Sequence, residues 1–214
     1  ETLEALYPER LEELAPLLAD HFAEARDEAR AFHYFCLAGE HALRVYANIE
    51  AEQYFRAALA LATAAQDRAR LLKQVGQALN GQSRFAEAVA VWKDAIQACQ
   101  TLGDYDGVAW LYADSARAAS NRGDTPAGLS LCREGLAAAG EARESIAIAA
   151  LLHEAARVSY FNGLQVEARH FGERALDMAG RLGDVAVEAE TLATLGILRD
   201  QPVNRQIETL ERAV

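Results

Sequence analysis

Lysine is almost missing from this 214-residue chain. Lys73 and Lys93 are the only two, and arginine supplies the rest of its 21 basic residues. Proline occurs four times, methionine once, and aromatics make up 7% of the chain. So few prolines, and no long runs of valine or isoleucine, exclude an obvious sheet and permit long helices. Cys36, Cys99 and Cys132 are odd in number and widely spaced. With no CxxC pair or Cys–His cluster, they exclude a disulfide framework and predict free, buried thiols in a reducing, cytoplasmic setting. No apolar run reaches the length of a membrane-crossing helix and nothing reads as a signal peptide, so no membrane partner is expected. A formal charge of -11 argues against direct nucleic-acid binding. Phosphate loops of the Gly-rich kind, HExxH, GxSxG and zinc-deaminase patterns are all missing. The expectation is no catalytic residue, no metal and no cofactor.

What is present is alanine and a repeat. The apolar fraction is 51%, much of it alanine, the best helix former and small enough for close packing. Ala51, Ala88, Gly128 and Ala168 each open the pattern small–x₃–bulky–x₂–small–aliphatic, the last three spaced 40 residues apart. The copies are Ala51–Phe55–Ala58–Leu59, Ala88–Trp92–Ala95–Ile96, Gly128–Cys132–Gly135–Leu136 and Ala168–Gly172–Ala175–Leu176. Upstream of each stands a further small residue: Gly39, Gly76, Ala116 and Ala156, with Gly196 continuing the series. Small residues there let antiparallel helices approach, and Phe55 and Trp92 fill the space where they diverge. A helix-pair repeat of this length predicts an α-solenoid, in which each repeat buries its apolar face on its neighbours.

Helical periodicity runs over 9–25, 28–46, 49–65, 68–80, 84–101, 105–121, 126–139, 142–162, 165–181, 185–199 and 203–213. The predicted fold is therefore all-α, a right-handed solenoid of about eleven antiparallel helices in roughly five pairs. Connectors such as Gly103–Asp104, Gly123–Thr125 and Gly183–Asp184 pair a left-handed glycine with a capping residue. Gly103–Asp104–Tyr105–Asp106–Gly107 reads as such a capped turn, since its glycine comes too early for a calcium loop. Pro16 is expected to split the first amphipathic run into a turn and a helix. We expect one continuous domain over 1–214, with N-terminal helices over 1–48, regular repeats over 49–200 and a terminal helix over 201–214. The opening residues, ETLEALY, read as the end of a helix begun upstream, in a longer parent protein.

Leu72, Val75, Gly76, Leu79, Ala88, Trp92 and Ala95 occupy, in order, the core positions of a tetratricopeptide (TPR) repeat, which this chain resembles. Matches around Gly39–Ala58 and Ala156–Ala175 are weaker, and the proline that usually closes each repeat is absent. The 40-residue period and residues 6–59 resemble the repeats C-terminal to bacterial ATPase-linked nucleotide cyclases and large ATP-dependent transcription regulators. That resemblance implies a non-catalytic regulatory solenoid that binds protein or peptide and controls an attached ATPase or cyclase module. Two alternatives stand beside it: a structural or oligomerisation scaffold, and a sensor of small anions.

In TPR proteins the first helix of each pair lines the concave face. Carrying the family's groove positions over gives Arg70, Lys73, Gln77 and Asn80, then Trp110 and Arg117, then His153, Arg157 and Tyr160. Arg70, Lys73, Arg117 and Arg157 are expected to converge as a cationic groove with aromatic anchors, suited to an acidic peptide or small anionic ligand. The competing reading has Arg117 and Arg157 pairing with nearby glutamates. Lys73 matches the carboxylate-clamp lysine of chaperone-tail receptors, but Gln77 and Asp114 stand where asparagines are expected, which argues against that ligand. His153 and Glu154 adjoin on one helix but point to different faces, so they make no metal pair.

Overall fold

The computed structural model describes residues 6–140, 143–198 and 211. Among them are ten α-helices and one short 3₁₀ turn, and no strand. The helices are α1 (Leu11–Glu24), α2 (Glu28–Arg44), α3 (Asn48–Leu61), α4 (Ala65–Gly81), α5 (Phe85–Leu102), α6 (Tyr105–Asn121), α7 (Thr125–Ala139), α8 (Ile146–Phe161), α9 (Gln165–Leu182) and α10 (Val185–Gly196). None is long and apolar enough to cross a membrane. The expected helix over 203–213 lies outside the described residues except for Glu211. The expected split at Pro16 does not occur: α1 runs unbroken through it, and the 3₁₀ turn Pro8–Arg10 stands before it. Proline in the second turn removes one backbone bond, and burial of Ala15, Leu18 and Ala19 holds the helix together across the gap.

Two compact units divide the chain, Glu1–Ala98 and Cys99–Val214, the division falling within α5. In the first unit α1, α2, α3 and α4 pack in sequence, each on the next. In the second, α6 pairs with α7, α8 with α9 and α9 with α10, while α6 also lies against α8.

The repeat pattern becomes geometry at its small residues. A Cβ added to Gly39 would stand 2.5 Å from Cε1 of Phe55, and one added to Gly76 would overlap the Trp92 indole. Phe55 and Trp92 are buried within α3 and α5, each pressed against the glycine of the preceding helix. Trp92 also donates its indole N–H to the Lys73 carbonyl at 3.1 Å, so even its polar edge is satisfied. The second unit repeats the theme: a Cβ on Gly135 would meet Tyr112, and one on Gly172 would meet Leu195.

Caps follow the connectors. Asp27, Asp104, Asp124, Ser145 and Asp184 each accept a backbone N–H three residues on, starting α2, α6, α7, α8 and α10. The α7 cap is thus Asp124, with Thr125 and Pro126 already helical. A second set of bonds ties one helix pair to another. Asn162, ending α8, donates to the Thr125 carbonyl at 3.0 Å and the Val158 carbonyl at 2.9 Å, fixing the start of α7. Gln82, ending α4, reaches the Asn48 carbonyl at 3.1 Å and the Glu52 carboxylate at 2.9 Å in the same way. Glu52 also takes Arg56 at 2.9 Å and Arg84 at 2.6 Å.

The turns of the two units differ in one respect. Gly103, Gly123, Gly140, Gly163 and Gly183 hold the positive-φ positions of the second unit, whereas Arg26, Tyr46 and Ser83 hold them in the first, each with φ near +58 to +59°. A side chain in that region is strained by roughly 1 kcal/mol. Ser83→Gly and Tyr46→Gly are therefore expected to stabilise the protein modestly, by up to about 1 kcal/mol each in urea denaturation. Gly76→Ala is expected to cost about 1–3 kcal/mol through the collision with Trp92.

Candidate functional site

On α8 the run Ala147–Ala156 is buried throughout, and it contains one carboxylate, Glu154, with no exposed surface at all. Such a group needs charged partners, because an unpaired carboxylate away from water is costly by several kcal/mol. It has two. Arg157, one turn on, donates through Nε to Oε2 at 3.0 Å and through Nη2 to Oε1 at 2.5 Å. Arg117, from α6, donates through Nε to the same Oε2 at 3.3 Å. The contact between α6 and α8 thus has a shared carboxylate at its centre. Cys132 lies beside it, fully buried, and burial pushes its thiol pKa upward, so it is a neutral wall of the site.

Arg157 is largely covered, its side chain 26% exposed, whereas Arg117 is 47% exposed. Burial opposes the charged form of Arg157, and the hydrogen bond and charge of Glu154 outweigh it, so its pKa is raised. The Arg157 guanidinium also stands 5.5 Å from the centroid of Phe161, one turn further along α8 and well exposed.

His153 faces elsewhere, towards α10. Its Nδ1 lies 3.3 Å from Thr191 Oγ1, and that hydroxyl donates its own proton to the Val187 carbonyl at 2.6 Å. Nδ1 must therefore carry the imidazole proton and donate it to Thr191. Nε2 then turns a lone pair towards Glu190, 3.7 Å away. Burial pushes the His153 pKa down; Glu154 and Glu190 oppose that shift, while Arg117 and Arg157 add to it.

The remaining expected site residues are distributed as follows. Arg70 lies in the first unit, where it meets Glu40 at 3.2 Å, Asp67 at 3.5 Å and the Cys36 thiol at 3.5 Å. It borders a cavity of about 200 Å³ lined by Phe32, His33, Cys36, Leu37 and Glu40. Lys73 is half-buried on the same helix, its carbonyl taken by Trp92, with Gln77 exposed and Asn80 half-buried beyond it. Trp110 is half-buried on α6. Tyr160 packs against the cluster of Ala168, Leu195 and Leu198 and meets Phe161 edge-on at 5.4 Å. Among the described residues no group of three or more acidic, His or Cys side chains gathers as a metal site. None of the three cysteines is in a disulfide, and all three are buried.

The competing reading, in which Arg117 and Arg157 pair with nearby glutamates, describes both arginines, and Glu154 is the one glutamate they share. The signal was available: a lone acid inside an apolar helix, three residues before an arginine, is an i, i+3 ion pair with one face buried.

Several solved structures share this architecture. BtubC from P. vanneervenii superposes with a TM-score of 0.70 at 16% identity, over 96% of this chain and 86% of that one. The Rap conjugation gene regulator of the plasmid pLS20, solved in complex with the Phr* peptide, gives 0.65 at 15% identity, over 91% of this chain and 60% of that one. A kinesin-light-chain-type protein of Podosopora anserina with nearly identical TPR-like repeats gives 0.56 at 18% identity, over 97% and 94%. The fold is a TPR-like α-solenoid. No protein-family model and no curated protein sequence matches the chain.

Two measurements check the site. Arg157→Ala is expected to cost about 3–5 kcal/mol of stability, because it strips the buried carboxylate of its bidentate partner. Arg117→Ala, at a half-exposed position, is expected to cost about 1 kcal/mol or less. Equal costs in chemical denaturation would show that the two arginines share Glu154 evenly. For His153, the folded pKa lies below its ordinary 6.5, so the unfolded chain takes up the proton first as pH falls. Stability is therefore complete above pH 6.5 and declines as pH drops below it, until the folded pKa is passed. His153→Gln is expected to flatten this decline in denaturation curves taken at successive pH values.

Proposed function

We propose that this chain is a non-catalytic repeat domain that binds protein, and specifically an acidic segment of peptide, along the face carrying Arg117 and Arg157. The observation that carries the reading is two arginines fixed by a buried carboxylate, in a chain whose net charge is otherwise strongly negative. Arginine in a fixed orientation recognises carboxylates with two parallel hydrogen bonds, a geometry lysine lacks. Trp110 lies two turns before Arg117 on α6, and Phe161 one turn beyond Arg157 on α8, and they offer flat apolar contact to flanking residues. The Rap regulator, which shares the fold, was solved with a bound peptide, and that supports peptide as the ligand class.

The finer reading is that peptide binding governs an attached ATPase or cyclase module. It rests on the resemblance of residues 6–59 to the segment that joins such modules to their repeats. The reading frame upstream of Glu1 tests it: a frame that encodes no ATP-binding module would remove that part of the proposal.

Binding itself is testable with a displayed library of random peptides selected against the protein. Enrichment of acidic sequences is expected, with titration calorimetry showing about tenfold weaker binding, or ~1.4 kcal/mol, for Arg117→Gln. Enrichment of neutral or basic sequences, or affinity indifferent to that change, would overturn the assignment.

A further inference from the structure

In the first unit a cavity of about 410 Å³ opens where α2 begins, α3 ends and α4 begins. Phe32, Leu61 and Ala62 line it with apolar surface, and Glu28, Thr63 and Asp67 line it with acceptors. None of its described lining residues is basic. The opening has a local cause. Ala62 leaves α3 in an extended conformation, and Ala62, Thr63 and Ala64 cross to α4 with short side chains that leave the corner unfilled. The two carboxylates are unequally engaged. Asp67 lies 3.5 Å from Arg70, which also meets Glu40 at 3.2 Å. Glu28, exposed in the first turn of α2, meets no basic group among the described residues. Arg30 is held by Asp27 at 2.6 Å and lies over the Phe22 ring at 4.1 Å. Around the cavity Asp27, Glu28, Glu40 and Asp67 exceed Arg30, Arg68 and Arg70 by one charge, and Glu24 and Arg26 in the preceding turn cancel.

We propose that this cavity binds an organic cation, an ammonium group carried on an apolar body. The ammonium stands between Glu28 and Asp67, and the apolar body covers Phe32, Leu61 and Ala62. Both halves of the ligand are specified by the lining. The excess negative charge favours a cation and repels a carboxylate or phosphate. Phe32 adds an aromatic surface that attracts a cation over its face. A hydrated inorganic ion gains nothing from Leu61 or Ala62, whereas each methylene that leaves water for them tightens binding, by up to about fourfold. A free alkylamine and a lysine side chain of a partner protein share this chemistry. The site lies in a different unit from Arg117 and Arg157 and is independent of the acidic-peptide reading.

The test uses the full chain with ¹³C-labelled leucine and alanine methyl groups, following Leu61 and Ala62 by NMR. The probes are n-butylammonium, methylammonium and butyrate at matched ionic strength, then the peptide acetyl-Ala-Lys-Ala-amide. Butylammonium is expected to shift both residues together and saturably, with exposed Leu182 as the unresponsive control. Methylammonium is expected to bind at least tenfold more weakly, having lost three methylenes, and butyrate to give no saturable shift. Glu28→Gln and Asp67→Asn are each expected to weaken butylammonium about threefold to fivefold. Glu50→Gln, at the opposite end of α3, is expected to leave it unchanged. Should Asp67→Asn fail to fold, Glu28→Gln, at an exposed position, carries the test alone. Shifts no larger than those of Leu182, butyrate or methylammonium bound as tightly as butylammonium, or a Glu28→Gln response equal to that of the parent would each overturn the proposal. So would an equal loss in Glu50→Gln, which would reduce the effect to net charge. With the site upheld, a lysine peptide binding at least as tightly as butylammonium assigns the cation to a partner's side chain, and a much weaker one assigns it to a free amine. Arg117→Gln is expected to leave all these affinities unaltered, so either binding reading can fail without the other.

Discussion

Helix packing in this protein depends on the approach distance permitted by residues with little or no side chain. At Gly39 and Gly76 the gap between successive helices is filled by an aromatic ring lying where a Cβ would otherwise be. That contact buries Phe55 and Trp92, the largest fully buried side chains of the first unit, against the glycine of the preceding helix. Dispersion scales with the number of atoms in contact, so a flat ring on a bare helix surface recovers packing that an alanine-rich core would otherwise lack. The same constraint explains why aromatics are few. Each close contact accommodates one large group, and the neighbouring buried positions are Ala51, Ala58, Ala88 and Ala95.

A polar network is laid over this apolar one at a similar period. Arg84 meets Glu52, Arg133 meets Glu167, and Arg181 meets Glu144, each pair 32 to 37 residues apart in sequence. Most of these pairs are exposed and contribute little individually. Glu154 is different because it has no access to water, and Glu52 is nearly as enclosed. In Glu52 burial would raise the carboxyl pKa, but hydrogen bonds from Gln82 and Arg56 and the charges of Arg84 and Arg56 outweigh it and hold the pKa down. Each unit therefore contains an enclosed acid that binds together residues from different helices. Only the one on α8 is bonded by two arginines that stand where a TPR groove is expected.

Much of the helix content and the repeat could be read from the chain because both depend on local chemistry. Gly–Asp connectors set the starts of α6, α7 and α10, and the spacing of Ala88, Trp92 and Ala95 announced the packing face of α5. Boundaries lacking such markers were displaced. The third periodic run extends to 65, yet α3 ends at Leu61, because Ala62 leaves the helix in an extended conformation with no glycine to signal it. The 142–162 run begins instead at Ile146, where Ser145 caps it. Arg117 and Arg157 were legible as equivalent positions of neighbouring repeats. Glu154 was legible as a partner of Arg157, one turn away, but not of Arg117, since a residue within an apolar helix reveals a partner on another helix only once the two are side by side. The cap-like amides Gln82 and Asn162 escaped notice for the same reason.

The Asn162 bonds carry a consequence for the lifetime of the molecule. Asn162 is followed by Gly163, the dipeptide whose backbone nitrogen most easily attacks the side-chain amide to form a succinimide. Hydrolysis of that ring would leave a carboxylate where an amide N–H₂ now donates to the carbonyls of Thr125 and Val158. A donor facing two acceptors would become a third acceptor, charged and in the same place. The bond that fastens the end of α8 to the start of α7 is thus also where slow chemical ageing would pull those two helix pairs apart.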